Sequence, residues 1–266
     1  VRGHVPKRRF GQHFLRDTAI ILRIVDAIAP AVDDRVAEIG PGLGALTVPL
    51  LARLKELHVV EIDRDIIARL RREFPADRLV LHEGDALAFD FATLGPDLRL
   101  VGNLPYNIST PLLFRIAAVR SAVRDCHFML QKEVVDRMVA TPGGPEYGRL
   151  SVTLQYCFSV EKLFEVAPGA FDPPPKVRSA VVRMVPLEPP PLPALDEGML
   201  AALVTRAFTQ RRKMLRNAVA PFLTVTELET LGLDPQARPE TLSVADYVRA
   251  ANHVAARGVT PPSCAE

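Results

Sequence analysis

Cysteine is scarce in this sequence and poorly spaced for structural chemistry. Only Cys126, Cys157 and Cys264 occur among its 266 residues. An odd number with no C-x-x-C pair offers neither a disulfide framework nor a zinc site, so no metal and a reducing cytoplasm are expected. No apolar run approaches the roughly 18 residues of a membrane span, and the opening VRGHVPKRRFGQHFL lacks the hydrophobic region of a secretory signal. Neither membrane insertion nor export is expected. Charge of one sign is also lacking: 33 basic and 31 acidic residues leave a net charge of +2, which argues against nucleic-acid binding by bulk charge while leaving room for local patches. Hydrophobic residues at 48% and charged residues at 24% exclude wholesale disorder and collagen-like or coiled-coil character.

What the chain has in quantity is proline, 24 residues, and they cluster. Pro173, Pro174 and Pro175 form one group, and the stretch Pro186 to Leu195 forms another in which no helix continues and a stiff linker is expected. Upstream, short β-branched apolar runs (RVAEIG, LHVVEID, LVLHEGD, LRLVGN, CHFML, SVTLQYCF and SAVVRMV) alternate with helical patterns. Asp65, Ile66, Ile67, Leu70 and Phe74 recur at helical spacing, as do Leu112, Leu113, Ile116 and Val119 after Pro111. This rhythm predicts an α/β domain with a largely parallel sheet. Downstream, Met199, Leu200, Leu203, Val204, Ala207 and Phe208 mark an amphipathic helix, and Ser243 with Asp246 resembles a capping box for a last helix through Val254. The expected domains are residues 1–185 with a basic tail over 1–16, a linker over 186–195, and a small all-helical domain over 196–266.

In VAEIGPGLGAL, Gly40, Gly42 and Gly44 follow an apolar strand and precede a helix whose apolar positions begin at Leu46. A strand, glycine turn and helix let a ligand approach the backbone. Glu61 ends the next strand about twenty residues past Gly40, where a carboxylate can bind ribose hydroxyls. Glycines that merely turn and a solvated Glu61 are the blander account of either feature alone; together they favour a nucleoside-containing cofactor. The loop reads G-x-G-x-G rather than G-x-G-x-x-G, which leans away from hydride transfer. Asp85, in HEGDAL, can accept from the exocyclic amine of adenine, or can simply cap the segment after it.

LRLVGNLPYNIST is the most informative stretch, with Asn103, Leu104, Pro105 and Tyr106 following a strand. The tetrapeptide resembles the N/D-P-P-Y signature of amino-group methyltransferases. An adenine amino nitrogen is nearly planar, so two acceptors must hold its hydrogens before its lone pair can turn toward a methyl donor. The Asn103 side-chain oxygen and the Leu104 carbonyl suit that task, with Tyr106 stacking on an extruded base. A turn leaving a strand is the blander reading.

With these pieces placed, the chain resembles the ribosomal RNA adenine N6-dimethyltransferases, most closely the bacterial branch that dimethylates two adjacent adenosines in the 3′-terminal hairpin of 16S rRNA. The resemblance spans nearly the whole sequence and rests on KRRFGQHFL, EIGPGLGALT, VVEIDRD, GDAL, GNLPYNIST, FMLQKEVVDRM, YGRLSV, APGAFDPPPKVRSAVVRM and FTQRRKMLRN, in that order. It implies a Rossmann-like class I methyltransferase sheet, S-adenosyl-L-methionine as donor, and cofactor contacts at His13, Leu15, Gly40, Gly42, Glu61, Asp85 and Asn103. His13 stands where the family often has asparagine. Phe171, in GAFDPPP, matches the family's second base-stacking aromatic, although a phenylalanine before three prolines is equally suited to anchoring a core. The implied partner is 16S rRNA within a pre-30S particle, bound by a monomer.

Two acid-free basic stretches suit phosphates: Lys7, Arg8 and Arg9 in the N-terminal tail, and Arg211, Arg212, Lys213 and Arg216 on what reads as a helix. The blander account is a basic tail and a solvated helix face. Rival functions are a 23S rRNA methyltransferase of the erythromycin-resistance type, a nucleotide-dependent oxidoreductase, and a ribosome-assembly factor without catalysis.

Overall fold

The computed structural model describes residues 13–259. The described residues divide into two compact units, 13–135 with 159–186, and 136–158 with 187–259. The proline stretch is expected to mark the one boundary; the contacts group 136–158 with the C-terminal helices as well.

The first unit is built on a seven-stranded sheet with the order β4-β3-β2-β5-β6-β9-β7. Its strands are β2 (Val36–Ile39), β3 (Leu57–Glu61), β4 (Leu79–Glu83), β5 (Leu98–Asn103), β6 (Val123–Gln131), β7 (Phe158–Val166) and β9 (Ser179–Pro186). Strands β4, β3, β2, β5 and β6 run parallel, and β9 is antiparallel to β6. Every residue of β2 is buried, as expected of a strand covered on both faces. The helices between strands are α1 (Thr18–Ile28), α2 (Thr47–Leu51), α3 (Arg64–Glu73), α4 (Ser109–Ala118) and α5 (Lys132–Met138). Helix α1 starts where Asp17 accepts from the Ala19 and Ile20 amides, and its Ile24, Val25 and Ile28 enter the core beside Val36, Leu57 and Val59. Two further strands of two residues each, β1 (Phe14–Leu15) and β8 (Phe171–Asp172), pair antiparallel with each other. Their brevity left no period to read in the sequence.

The second unit contains α6 (Arg149–Cys157), α7 (Glu197–Thr209), α8 (Leu215–Ala218), α9 (Val225–Thr230) and α10 (Val244–Ala256). The capping box at the start of α10 is present, with Ser243 and Asp246 exchanging hydrogen bonds. Phe208 packs between Tyr147 and Tyr247, at centroid distances of 6.2 and 5.8 Å. The segment SVTLQYCF, expected as a strand, lies within α6 and the first residue of β7. Its helical state is fixed by contacts: the Gly148 amide donates to Ser151 Oγ at 3.0 Å, and Gln155 donates to the Met138 and Ala140 carbonyls at 2.8 Å each. The basic run FTQRRKMLRN is not one helix either. α7 ends at Thr209, and Arg211, Arg212 and Lys213 occupy the turn before α8.

No helix among the described residues is long and apolar enough to cross a membrane. One close approach sets where the loop after β5 begins. A Cβ at Gly102 would stand 2.5 Å from the Ile39 carbonyl oxygen, a backbone atom that cannot swing aside. Gly102→Ala should therefore lower unfolding free energy by about 2–3 kcal/mol, measured by denaturant titration, with Gly169→Ala, which meets nothing within 4 Å, as the neutral comparison.

Candidate active site at the strand ends

Strand order reverses between β2 and β5, and open parallel sheets leave a crevice outside the carboxyl ends of the strands at such a point. Four chain segments meet there. Gly40 follows β2, Glu61 ends β3, Asp85 follows β4, and Asn103 ends β5. They line a cleft of about 290 Å3 together with His13, Leu15, Gly42, Leu104, Pro105 and Tyr106.

The glycine turn makes room by geometry. Gly42 has φ +55°, and a Cβ there would press to 3.2 Å from the Phe14 ring. Glu61, 7% exposed, accepts through Oε1 from the Ile62 and Asp63 amides at 2.9 and 2.8 Å. Burial pushes its carboxyl above the ordinary range, while these backbone donors pull the other way. Asp85 is exposed and accepts from the Leu87 amide at 2.9 Å, so it caps its turn and lines the cleft at once.

The loop after β5 is held at each residue. Asn103 donates from Nδ2 to the His13 carbonyl at 3.0 Å, which leaves Oδ1 as the acceptor side of the amide. The Leu104 amide donates to the Met129 carbonyl at 3.1 Å. Pro105 offers its carbonyl to Ser109 Oγ at 3.0 Å. Tyr106 shares a hydrogen bond of 2.7 Å with Ser179 Oγ, and its ring stacks with His13 at a centroid distance of 5.6 Å and an interplanar angle of 28°.

The cleft thus gathers His13, Leu15, Gly40, Gly42, Glu61, Asp85, Asn103, Leu104, Pro105 and Tyr106. Phe171 is not among its lining residues. Its ring is 4% exposed within the hydrophobic cluster, on β8 opposite Leu15, where an apolar side chain is better buried than solvated. As placed, that ring presents no face to a base. Of the basic residues, Lys7, Arg8 and Arg9 lie outside the described residues. Arg211 is tied down, donating to the Pro145 carbonyl at 2.6 Å. Arg212, Lys213 and Arg216 are exposed.

Glu38 escaped the sequence reading because it sits mid-strand in an apolar run. It is 1% exposed, lines the cleft, and accepts from Thr47 Oγ1 at 2.6 Å. Burial, with the nearby Glu61 charge adding to it, pushes its carboxyl up to about 7. Glu38, Glu61 and Asp85 give the cleft three carboxyl groups, and among the described residues no lysine or arginine lines it. That charge set disfavours a pyrophosphate and favours a ligand carrying positive charge. The walls formed by Phe14, Leu15, Leu43, Leu46, Ile62 and Ile66 suit a flat apolar ring. S-adenosylmethionine, with its sulfonium, ammonium, ribose and adenine, fits these acceptors and walls.

Comparison with known proteins agrees with this chemistry. The family model described as Ribosomal RNA adenine dimethylase matches residues 3–256. The chain is 61% identical to "Ribosomal RNA small subunit methyltransferase A" of Laribacter hongkongensis, across 96% of this chain and 98% of that protein. It is 59% identical to the protein of the same name from Chromobacterium violaceum, with the same coverage of both chains. Among solved structures, a dimethyladenosine transferase from Plasmodium falciparum superposes with a TM-score of 0.80 at 29% identity, covering 93% of this chain and 99% of that one.

The buried Glu38 carboxyl carries a pH signature. Its folded pKa lies above the unfolded value of 4.5, so the stability it confers is complete below pH 4.5 and is lost as pH rises through about 7. The loss amounts to about 3 kcal/mol. Glu38→Gln should abolish this component: melting temperatures of variant and wild type, compared from pH 5 to pH 8, should diverge in favour of the variant as pH rises. Parallel curves would mean that Glu38 is already ionised in the folded protein.

Proposed function

The chain belongs to the ribosomal RNA adenine dimethylase family, and on that premise we propose that it dimethylates N6 of two adjacent adenosines in the 3′-terminal hairpin of 16S rRNA within a pre-30S particle, working as a cytoplasmic monomer. S-adenosyl-L-methionine supplies the electrophilic methyl group. On this reading Glu61 binds the ribose hydroxyls, Asp85 the adenine amine, and Leu15 and the glycine turn wall the pocket. The observation that carries the reading is the orientation of Asn103. With Nδ2 engaged by the His13 carbonyl at 3.0 Å, Oδ1 is left to accept from the target amino group. The Leu104 carbonyl accepts the second hydrogen. Two acceptors hold the amino group so that its lone pair leaves the ring plane, and Tyr106 supplies the stacking face. No charged base is required at nitrogen, because the methylated amine is acidic enough to lose its proton to water.

The helical unit would bind RNA through Arg212 and Lys213, exposed in the turn after α7, and Arg216, exposed on α8, with Lys7, Arg8 and Arg9 of the tail as further phosphate contacts.

The deciding experiment is mass mapping of methylated adenosines after incubation with undermethylated 30S particles and labelled donor. Two adjacent dimethyladenosines in the 3′ hairpin are expected; modification of 23S rRNA instead, or no methyl incorporation, would reject the proposal in favour of its rivals. Asn103→Ala should reduce transfer by about 100-fold while the protein still folds. Glu61→Ala should weaken donor binding by about tenfold or more, read by calorimetry. Reversing charge at Arg212 and Lys213 should lower RNA affinity and flatten its dependence on salt by about one unit of slope per lost phosphate contact.

A further inference from the structure

We propose that His13 and Ser179 are positioning residues that together fix the Tyr106 ring as a stacking platform, with His13 also setting the Asn103 amide. The inference rests on the functional reading above and assigns roles that reading does not contain.

Tyr106 follows β5 in a loop, and a phenol there has two side-chain torsions to settle before its face is useful to a base. Two contacts settle them. At the far end of the ring, the hydroxyl meets Ser179 Oγ at 2.7 Å. Ser179 is fully buried at the start of β9, in register with Gln131 of β6, so its hydroxyl is carried by sheet backbone rather than by a loop. Against the ring face lies the His13 imidazole, tilted by 28°.

His13 is itself held from several directions. Its Nδ1 bonds the Pro173 carbonyl at 2.8 Å; a carbonyl only accepts, so Nδ1 carries the hydrogen. Its own carbonyl receives the Asn103 amide. The segment after it is bound by the β1–β8 pair and by the Arg16 amide, which donates to the Ala170 carbonyl at 2.8 Å. One residue therefore touches both Asn103 and Tyr106, the acceptor and the platform, and ties both to the segment around residues 170–173. A preset ring loses less freedom when it captures a base, and a fixed amide and ring preserve the angle between amino group and methyl donor.

Three readouts test this: single-turnover methyl transfer on undermethylated 30S particles, donor affinity by calorimetry, and fluorescence of a hairpin RNA carrying 2-aminopurine at the target position. Ser179→Ala should slow transfer about tenfold and weaken the fluorescence change, with donor affinity kept within about twofold. Tyr106→Phe deletes the same hydrogen bond without disturbing β9, so it should reproduce the loss, and the double variant should add nothing further. His13→Ala keeps the backbone carbonyl and should lose transfer and fluorescence change together, while His13→Phe, which restores a ring face, should recover most of both. Full transfer and an unaltered fluorescence change in Ser179→Ala and His13→Ala would overturn the proposal. So would a His13→Ala defect confined to donor affinity, which would make His13 a donor contact only. A wild-type protein without transferase activity would instead overturn the functional reading, and the fluorescence arm would still decide the positioning roles.

Discussion

The hydrogen bond from Asn103 Nδ2 to the His13 carbonyl is the contact on which the site depends. A carboxamide has an acceptor end and a donor end of nearly equal shape, and only its partners decide which end faces a ligand. Here the donor end is engaged from behind. For that to happen, His13 must be carried to the end of β5 by β1 and its partner β8, and Phe14 must fit against a glycine at position 42. Asn103 must in turn leave the sheet at a point where Gly102 lets β5 lie close to Ile39. The glycines, the two-residue strand pair and the tetrapeptide are parts of one geometric requirement.

Electrostatics supplies the second requirement. Burying Glu38 within β2 and Glu61 at the end of the neighbouring β3 is unfavourable in the free protein, and both carboxyl groups are pushed upward for that reason. Carboxyl groups perturbed in this way cluster at functional sites. A cation in the cleft would favour the ionised carboxylates, so the same groups that cost stability at neutral pH would strengthen the hold on a positively charged ligand. Near-neutral net charge thus conceals an uneven distribution: an acid-lined cleft in one unit, and exposed arginine and lysine side chains in the other.

Much of this was legible in the sequence because periodicity and punctuation carry it. The strands ending in Glu61 and Asn103, the glycine turn and the capped last helix all follow from local pattern. What was illegible depended on contacts distant in sequence. SVTLQYCF has the composition of a strand, and its tethers to Gly148, Met138 and Ala140 accompany its helical state. The basic run after Phe208 shows no helix breaker, yet α7 stops at Thr209. Phe171 matched an aromatic position by motif, while its burial opposite Leu15 is a property of the fold. Glu38 was hidden by its apolar neighbours, and Ser179 because its hydroxyl partner, Tyr106, is distant in sequence.

The most direct test of the central claim is the single-turnover methyl-transfer rate of Asn103→Asp on undermethylated 30S particles. Aspartate keeps the shape and the acceptor oxygen but cannot donate to the His13 carbonyl, which would then face a carboxylate. If the His13 contact orients the acceptor, the rate should fall by about tenfold or more, with donor affinity largely retained. Transfer at the wild-type rate would show that an acceptor at position 103 suffices without that contact, and would contradict the account.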